Sequence, residues 1–351
     1  MSKKQIRAVA LISGGLDSML AAKVVMEQGV EVHGLNFFTG FCVEGHTHAI
    51  RKQHKEKPKR NNALWSAEQL GIKLHIDDVS EPYKDVVINP KHGYGANLNP
   101  CLDCKGFMVG RARLWMEEND FDFMITGEVI GQRPMSQRRD TMPVIQKEGG
   151  IGDRLLRPLC AQLLPETLPE REGWVNREQM HGFSGRSRKP QIALAESFGF
   201  SEWSQPAGGC CFLTDASYSS KLQDLWDARG TKEYEIDDIV LLKIGRHIRP
   251  RPEFKLIVSR EEGENNFLRG YRRNFGHFEV TSHPGPLTLV DLADGDLTGD
   301  NLQLAASIVA RFSQGRDATE VTLDYVPLAG ETRQITVAPL HPDQIPKSWY
   351  V

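Results

Sequence analysis

The sequence predicts an α/β protein with a parallel sheet covered by helices, followed by a smaller α+β domain. Through the first 215 residues, short β-rich runs alternate with segments whose apolar residues recur at helical spacing. Strands that alternate with helices of about ten residues favour a parallel sheet covered on both faces. From about residue 234 the pattern changes to short strand-like runs and one helix, which indicates a second architecture.

The elements follow from these patterns in chain order. In the first domain, the predicted strands cover residues 6–12, 31–37, 73–79 and 121–126, and the predicted helices cover residues 17–27, 63–70, 106–118 and 189–198. In the second domain, the apolar runs 239–245 and 254–260 are predicted strands, and residues 302–312 are a predicted helix. We therefore expect a first domain over residues 1–215, a helical linker over 216–233 and a second domain over 234–351.

Composition limits the class of protein. The chain has 351 residues, 40% hydrophobic and 25% charged, so it can bury a full core and form two or three domains. No apolar stretch approaches the roughly 20 residues that span a bilayer. The N-terminus leads into a strand rather than a signal peptide, so we expect a cytoplasmic protein without a membrane partner. A net charge of −3 argues against a wholly basic nucleic-acid binder but allows local basic patches.

The most specific motif is the string Ser-Gly-Gly-Leu-Asp-Ser at residues 13–18, here called the glycine loop. Gly14 and Gly15 let the backbone approach an anion. Ser13 and Ser18 offer hydroxyl donors, and the helix that follows adds unpaired N–H groups and the positive end of its dipole. Two glycines alone fit an ordinary turn, but the whole string after a first strand indicates a phosphate site. The string lacks the Gly-Lys-Ser/Thr ending of a Walker A loop, which disfavours γ-phosphate transfer.

The glycine loop resembles the PP-loop signature of the ATP pyrophosphatases. In that family the loop holds the β- and γ-phosphates while a nucleophile attacks the α-phosphorus, which gives an adenylated intermediate and releases pyrophosphate. The resemblance implies ATP and Mg²⁺ as cofactors, with the metal near Asp17. Members include GMP, NAD and argininosuccinate synthetases as well as tRNA-modifying enzymes, so the loop indicates the activation chemistry and leaves the substrate open.

A second segment, TGEVIGQRPMSQ at residues 126–137, bears on the substrate. It resembles the segment that follows the fourth strand in tRNA 4-thiouridine synthetases. The resemblance places four of its residues in the ATP and substrate cleft: Gly127, Gln132, Ser136 and Gln137. Asn36, in the second predicted strand, belongs to the same expected cofactor-binding set. A polar helix start is the alternative interpretation of this segment.

Six cysteines in a chain of this size indicate metal or redox chemistry rather than a disulfide framework. By resemblance to thiolating enzymes, Cys101 and Cys104 converge with Cys211 at one active site, and Cys210 is the less favoured third member. Three thiolates suit a 4Fe-4S cluster with one open iron that can carry hydrosulfide. The three cysteines and Asp17 are therefore the expected catalytic residues.

Other interpretations of the cysteines stay open. A structural zinc site needs a fourth ligand, such as His181 or the second cysteine of the adjacent pair. A thioredoxin-like dithiol or a persulfide relay needs two cysteines only. Cys42 and Cys160 have no partner by spacing and are predicted to be simply buried. The sulfur donor is free sulfide or a cysteine desulfurase.

Two basic stretches are candidates for binding tRNA. Residues 51–60 hold six Lys or Arg and one Glu, although a charge run is also typical of a solvated face. Residues 244–273 interleave arginines with aromatic residues, and together with SHPGPLTLV further on they resemble the NFACT-R RNA-binding domain, which occurs fused to thiouridine-synthetase-like PP-loop domains. The predicted RNA contacts are Arg51, Lys52, Lys59, Arg60, Arg246, Arg249, Arg251, Arg272 and Arg273.

Together these features predict an ATP-dependent tRNA sulfurtransferase, a monomer or homodimer, that forms 4-thiouridine or 2-thiouridine. The 4-thiouridine synthetases usually carry a THUMP domain and sometimes a rhodanese domain. We expect the C-terminal domain to bind RNA in place of the THUMP domain, and the cluster to carry sulfur in place of the rhodanese domain. The alternatives are an amide-forming PP-loop synthetase with structural zinc, and an RNA-binding regulator that keeps a nucleotide site without catalysis.

Overall fold

The computed structural model describes residues 4–42, 60–203 and 211–351, which form two compact units. The first unit comprises the described residues up to Thr214, and the second begins at Asp215. The first is built on a parallel sheet and the second on an antiparallel sheet, so the predicted fold class is confirmed. No helix in these three ranges is long and apolar enough to cross a membrane.

The sheet of the first unit has five parallel strands in the order β3-β2-β1-β4-β5. In chain order they are β1 (Arg7–Leu11), β2 (Glu31–Phe38), β3 (Leu74–Asp78), β4 (Phe123–Ile125) and β5 (Leu155–Leu156). The chain winds outward from β1 in one direction and then returns to pair β4 on the other side of β1. In open sheets of this kind, ligands bind outside the carboxyl ends of the two strands that flank the reversal. Here those strands are β1 and β4.

Helices cover both faces of this sheet. They are α1 (Leu16–Met26), α2 (Asn62–Leu70), α3 (Ser80–Ile88), α4 (Cys101–Glu118), α5 (Met142–Glu148), α6 (Leu168–Arg171) and α7 (Lys189–Ser197). Successive side chains of a strand point to opposite faces. Accordingly Ala8 and Ala10 of β1 pack in one apolar cluster with α1, while Val9 packs in another with Val109 and Ala112 of α4.

The predicted elements of the first unit are present, with one informative difference. Helix α4 begins at Cys101, five residues before the predicted start. Its first turn is stabilised by the Cys104 N–H, which donates to the Pro100 carbonyl at 2.8 Å. The carboxylate of Asp103 accepts the backbone N–H groups of Lys91 and His92 at 3.1 and 3.0 Å, which ties the preceding loop to this turn.

The second unit has a six-stranded antiparallel sheet in the order β11-β10-β8-β9-β7-β6. The strands are β6 (Arg246–Arg251), β7 (Phe254–Val258), β8 (Gly276–Val280), β9 (Thr288–Leu292), β10 (Val321–Val326) and β11 (Arg333–Val337). The helices are α8 (Ala216–Arg229), α9 (Ile236–Leu241), α10 (Glu262–Leu268) and α11 (Gly299–Arg311). Ala305, Ala306 and Val309 of α11 pack on Phe278 and Tyr325 of the sheet to form the core.

Two predictions for this part of the chain need correction. Residues 239–245 were expected to form a strand, but they contain the end of α9 and the turn after it, because Glu235 and Asp238 form a capping box that starts a helix. Residues 216–233 were expected to form a linker, but α8 packs within the second unit. The Tyr218 hydroxyl of α8 donates to the Ile239 carbonyl at 2.9 Å, and Leu222 is fully buried.

Candidate functional site

The glycine loop connects β1 to α1 and is approached closely by a second helix. Gly14 has φ +78°, and a Cβ atom there would lie 2.7 Å from the backbone nitrogen of Ala63. Ala63 is in the first turn of α2, whose N-cap Asn61 accepts the Ala63 N–H at 2.9 Å. Only glycine fits this conformation and this approach. The N-termini of α1 and α2 therefore both lie at the glycine loop, which is a favourable arrangement for an anion.

Hydroxyl and amide side chains hold the shape of the loop. The buried Ser18 hydroxyl donates to the Gly15 carbonyl at 2.8 Å and accepts the Ser13 N–H at 3.3 Å. The Asn36 amide donates to the Ile12 carbonyl at 2.7 Å, which holds the end of β1 against β2. Ser13 itself is exposed. Ser18 and Asn36 thus support the loop, and Ser13 is the hydroxyl that faces solvent.

The segment after β4 lies directly against the start of α1. A Cβ atom on Gly127 would be 2.4 Å from the carbonyl carbon and oxygen of Asp17 and 2.5 Å from the Ser18 nitrogen. No side chain larger than glycine fits there without moving one of the two backbones. Residues 126–137 and the glycine loop therefore meet at the switch point of the sheet, between the carboxyl ends of β1 and β4.

Asp17 lies at the centre of a polar network that joins three segments. Its carboxylate accepts a hydrogen bond from Gln132 Nε2 at 2.5 Å and is 3.5 Å from Arg188 Nη2. Gln191, in the first turn of α7, donates to Gln132 Oε1 at 2.8 Å. The side chains of Asp17 and Arg188 are 18% and 21% exposed, so both are largely shielded from water.

Sequence reasoning missed Arg188 and Gln191. They are 171 and 174 positions from Asp17, and no spacing rule links such distant residues. The available signal was the string Gly-Arg-Ser-Arg-Lys at residues 185–189, which places three cations at the start of a predicted helix. Its position at the site depends on Gly185, whose N–H donates to the Ile130 carbonyl at 2.7 Å.

Several buried polar atoms around this network have no hydrogen-bond partner. Within the described part of the first unit they include Ser136 Oγ, Gln137 Oε1, Arg188 Nε and Gln191 Oε1. An unpaired buried polar atom costs about 1–3 kcal/mol, so native proteins seldom leave one without a reason. All four belong either to the segment after β4 or to the start of α7. This concentration is typical of a site that binds a polar ligand.

A buried ion pair supports the segment after β4. Arg157 Nε donates to Glu128 Oε2 at 2.8 Å, and each side chain is 4% exposed. Burial alone would raise the pKa of Glu128, but the charges of Arg157 and Lys105 and the hydrogen bonds from Arg157 and Thr126 lower it. The Cys160 thiol donates to the Glu128 carbonyl at 3.2 Å, and burial raises the pKa of that thiol to about 11. The prediction that Cys160 is simply buried is confirmed.

The structure brings three of the remaining cysteines to one region. Cys101 and Cys104 are half-buried in the first turn of α4. The Cys211 thiol is 3.9 Å from Asn99 Oδ1, two residues before Cys101, and Asn97 donates to the Thr214 carbonyl at 2.9 Å. Within residues 4–42, 60–203 and 211–351, however, no three His, Cys, Asp or Glu side chains are arranged as metal ligands. Cys210 lies outside the described residues.

The prediction for Cys42 is wrong. Cys42 is half-buried and pairs with Cys211 in an antiparallel β-bridge, which is continued by the Phe212 N–H donating to the Phe41 carbonyl at 2.9 Å. Paired residues of this kind have Cβ atoms about 4.5–5.5 Å apart. Spacing along the chain could not indicate this pairing, because the two cysteines are separated by most of the first unit.

The predicted RNA-binding residues are placed as follows. Arg60 lies 3.5 Å above the ring of Trp65 and forms an ion pair with Glu202 at 3.2 Å. Arg51, Lys52 and Lys59 lie outside the described residues.

In the second unit, most of the named arginines have protein partners. Arg249 forms a bidentate pair with Asp224 of α8, at 2.6 and 3.0 Å. Arg251 donates to Asn301 at 2.6 Å, and Arg272 donates to Glu279 at 2.8 Å. Arg273 is exposed, and Arg246 lies 5.3 Å from the ring of Phe312.

A cavity of about 700 Å³ in the second unit is next to Arg246. Its lining includes Pro284 to Pro286 of the HPGP string, Phe312, and the guanidinium groups of Arg260, Arg311 and Arg316, together with Glu261, Glu262 and Asp317. The cavity thus combines cations, an aromatic ring and hydrogen-bonding groups.

The parallel sheet, the glycine loop after β1 and the two helix N-termini at that loop are consistent with a domain of the PP-loop class. The matches to protein families agree with this assignment. Residues 3–162 match the family described as thiamine biosynthesis protein (ThiI), and residues 245–350 match the NFACT protein RNA binding domain. Two segments of the chain thus match a ThiI-type PP-loop domain and an NFACT-type RNA-binding domain, as the sequence predicts.

Curated relatives of the chain are tRNA-specific 2-thiouridylases MnmA. The protein from Campylobacter curvus is 28% identical over 129 residues, which cover 36% of this chain and 35% of the relative. The protein from Sulfurimonas denitrificans is 31% identical over 134 residues, 37% of this chain and 36% of the relative. The chain thus spans about a third of the length of these relatives. A longer match, 25% identical over 347 residues, covers 94% of this chain and 83% of the protein from Rippkaea orientalis.

Solved structures give weaker similarity. A 4-thiouridine synthetase–RNA complex with bound ATP is 19% identical, with a TM-score of 0.33 and coverage of 56% of this chain and 54% of that chain. A predicted subunit of tRNA methyltransferase from Methanocaldococcus jannaschii is 13% identical, with a TM-score of 0.36. The match covers 66% of this chain and 91% of that chain. Scores this low carry no functional argument.

Proposed function

We propose that the chain is an ATP-dependent tRNA sulfurtransferase that replaces a uridine carbonyl oxygen with sulfur and releases AMP and pyrophosphate. The observation that carries the proposal is the glycine loop at the switch point of a ThiI-family domain, held between the start of α2 and the Gly127 backbone. The NFACT-type domain on the same chain supports RNA as the substrate.

The first half-reaction activates the base. A lone pair of the uridine carbonyl oxygen attacks the α-phosphorus of ATP, the bond to the β-phosphate oxygen breaks, and pyrophosphate leaves with that electron pair while the uridine N3 proton is released. The N–H groups at the starts of α1 and α2 stabilise the charge of the leaving group. Asp17 would hold Mg²⁺, which neutralises pyrophosphate when it is bound.

The second half-reaction introduces sulfur. Hydrosulfide adds to the activated ring carbon, the carbon–oxygen bond breaks, and AMP leaves with the original carbonyl oxygen. The hydrosulfide proton restores the N3 proton of the thiolated base. Each bond that forms is matched by one that breaks, and no oxidant or reductant is consumed.

Cys101, Cys104 and Cys211 would hold a 4Fe-4S cluster, because two thiols in the first turn of α4 and a third near Asn99 match the three-thiolate donor set that such a cluster takes. The cluster would supply a position for the incoming sulfur. A persulfide on Cys211 is the second candidate. It is favoured by the bridge to Cys42, which places another thiol beside Cys211.

The position of the new sulfur has two candidates. Resemblance of residues 126–137 to 4-thiouridine synthetases favours 4-thiouridine. The curated relatives are named 2-thiouridylases, which favours 2-thiouridine.

Pyrophosphate release tests the function as a class. The purified chain is incubated with ATP and Mg²⁺, with or without tRNA and sulfide, and pyrophosphate is measured together with thiouridine in digested tRNA. We expect both products only when tRNA is present, and we expect Asp17→Asn to form neither. Pyrophosphate release that needs an amine or ammonia instead of tRNA would indicate an amide-forming synthetase. Binding of tRNA without pyrophosphate release would indicate a regulator.

A further inference from the structure

The start of α7 holds a cation whose role is not assigned by the reaction described above. Arg188 is the N-cap residue of α7, and the chain before it is anchored at the site through Ser184, which pairs with Ile130 in a parallel bridge. The Gly185 N–H donates to the Ile130 carbonyl at 2.7 Å. Arg188 therefore lies at the glycine loop because the segment before it is hydrogen-bonded to the chain after β4.

The pairing of Arg188 with Asp17 is incomplete. Nη2 of Arg188 lies 3.5 Å from Oδ1 of Asp17, at the outer limit of a hydrogen bond. Nε of Arg188 is buried, and none of the residues that the structure describes is its hydrogen-bond partner. A guanidinium carries five N–H donors in a planar fork that suits bidentate binding of phosphate. Arg188 therefore keeps donors for an anion at this position.

Gln191 gives a second, independent indication of a ligand. Its side chain is fully buried, and its Nε2 donates to Gln132. Its Oε1 has no hydrogen-bond partner within residues 4–42, 60–203 and 211–351. Gln132 in turn donates to Asp17. This chain of amides holds Asp17 and the first turn of α7 in place without the guanidinium, so Arg188 can change partner while the backbone stays where it is.

We propose that Arg188 binds the β- and γ-phosphates of ATP and the pyrophosphate that leaves, exchanging its contact with Asp17 for phosphate oxygens. The inference rests on the proposed function and deepens it by assigning the cation that receives the leaving group. The exchange also frees the Asp17 carboxylate. Charge that develops on pyrophosphate is then met by a guanidinium as well as by helix N-termini.

The test compares ligands that differ in their phosphates. Affinities of the full chain for inorganic pyrophosphate, ATP and AMP are measured by calorimetry for the unaltered protein and for Arg188→Gln. Losing charge-assisted hydrogen bonds should weaken pyrophosphate and ATP binding roughly 10- to 100-fold. AMP, which has no β- or γ-phosphate, should bind as before. Arg186→Gln is the matched control, because Arg186 is an exposed cation two residues away on the same segment.

The outcomes distinguish a failure of the assignment of Arg188 from a failure of the proposed function. Equal pyrophosphate affinity in Arg188→Gln and the unaltered chain would overturn the assignment of Arg188 alone. An equal loss of AMP binding would also overturn it, since Arg188 would then act on the fold of the site. If the unaltered chain binds neither ATP nor pyrophosphate, the proposed function fails with it. Should Arg188→Gln not fold, Arg188→Lys replaces it, and unchanged pyrophosphate affinity in that variant counts against the bidentate contact.

Discussion

Gly127→Ala is the substitution from which we expect the sharpest effect on the site. The added Cβ would lie 2.4 Å from the carbonyl carbon and oxygen of Asp17, whereas ordinary contact begins near 3.4 Å, so the two backbones would have to separate by about 1 Å. Both sides of the contact are backbone, so no side chain can rotate away. Overpacking of this kind costs about 1–3 kcal/mol, and we expect the upper end.

The expected result is a loss of both stability and nucleotide binding. For a domain of this size, about 3 kcal/mol corresponds to a fall in Tm of roughly 6–12 °C. A displacement of about 1 Å at Asp17 would also reduce turnover by about 100-fold. Thermal unfolding followed by fluorescence, ATP affinity measured by calorimetry, and turnover measured as pyrophosphate release test these effects on the full chain.

Gly110→Ala is the matched control for this prediction. Gly110 is in the interior of α4, and its added Cβ would come no closer than 3.8 Å to Gly149. Alanine is preferred to glycine in a helix by up to about 1 kcal/mol, so this variant should be as stable as the parent chain or more stable. Gly127→Ala with unchanged Tm and unchanged ATP affinity would refute the packing of the segment after β4 on the glycine loop.

Three further predictions concern a buried ion pair, a buried histidine and the cysteine bridge. Arg157→Met should destabilise the chain by about 3–5 kcal/mol in urea unfolding, because it leaves the Glu128 carboxylate buried and unpaired, whereas the double variant with Glu128→Gln should recover part of that loss. Burial holds the pKa of His247 well below its ordinary value, so the unfolded chain binds a proton that the folded chain does not. Stability should therefore fall as the pH drops below about 6.5, by up to about 1.4 kcal/mol per pH unit, and His247→Gln should reduce that slope. A thiol oxidant such as diamide should join Cys42 to Cys211, detected by peptide mapping without reductant, and a crosslink between Cys211 and any other cysteine in preference would contradict the bridge.

Local signals predicted the parts of the fold that depend on neighbouring residues. A β-rich run, two glycines and a helical period follow one another around the glycine loop, so its place between β1 and α1 could be predicted. The structure of residues 239–245 could not be predicted in this way, because a short apolar stretch fits a strand or a buried helix equally well. The capping pair Glu235 and Asp238 was the signal that separates the two.

The candidate site was only partly predictable because much of it is made by tertiary contacts. Gln132 was expected at the site by resemblance, but its bond to Asp17 and the link through Gln191 to α7 depend on how β4 and α7 pack against α1. Cys42 is the clearest case, since its neighbour Cys211 is brought to it by a bridge between distant segments. The ion pair of Arg249 with Asp224 depends on the packing of α8 within the second unit, which no local pattern indicates. Its role in RNA binding stays a prediction.

Activation of a uridine carbonyl oxygen by ATP leaves that oxygen on AMP, so oxygen labelling is the decisive test of the proposed reaction. A tRNA whose uridines carry ¹⁸O at the ring carbonyls is incubated with the full chain, ATP, Mg²⁺ and sulfide, and the nucleotide products are analysed by mass spectrometry. We expect one ¹⁸O-labelled AMP, with a single ¹⁸O atom, for each thiouridine formed. AMP without the label, or ADP and phosphate in place of AMP and pyrophosphate, would contradict it.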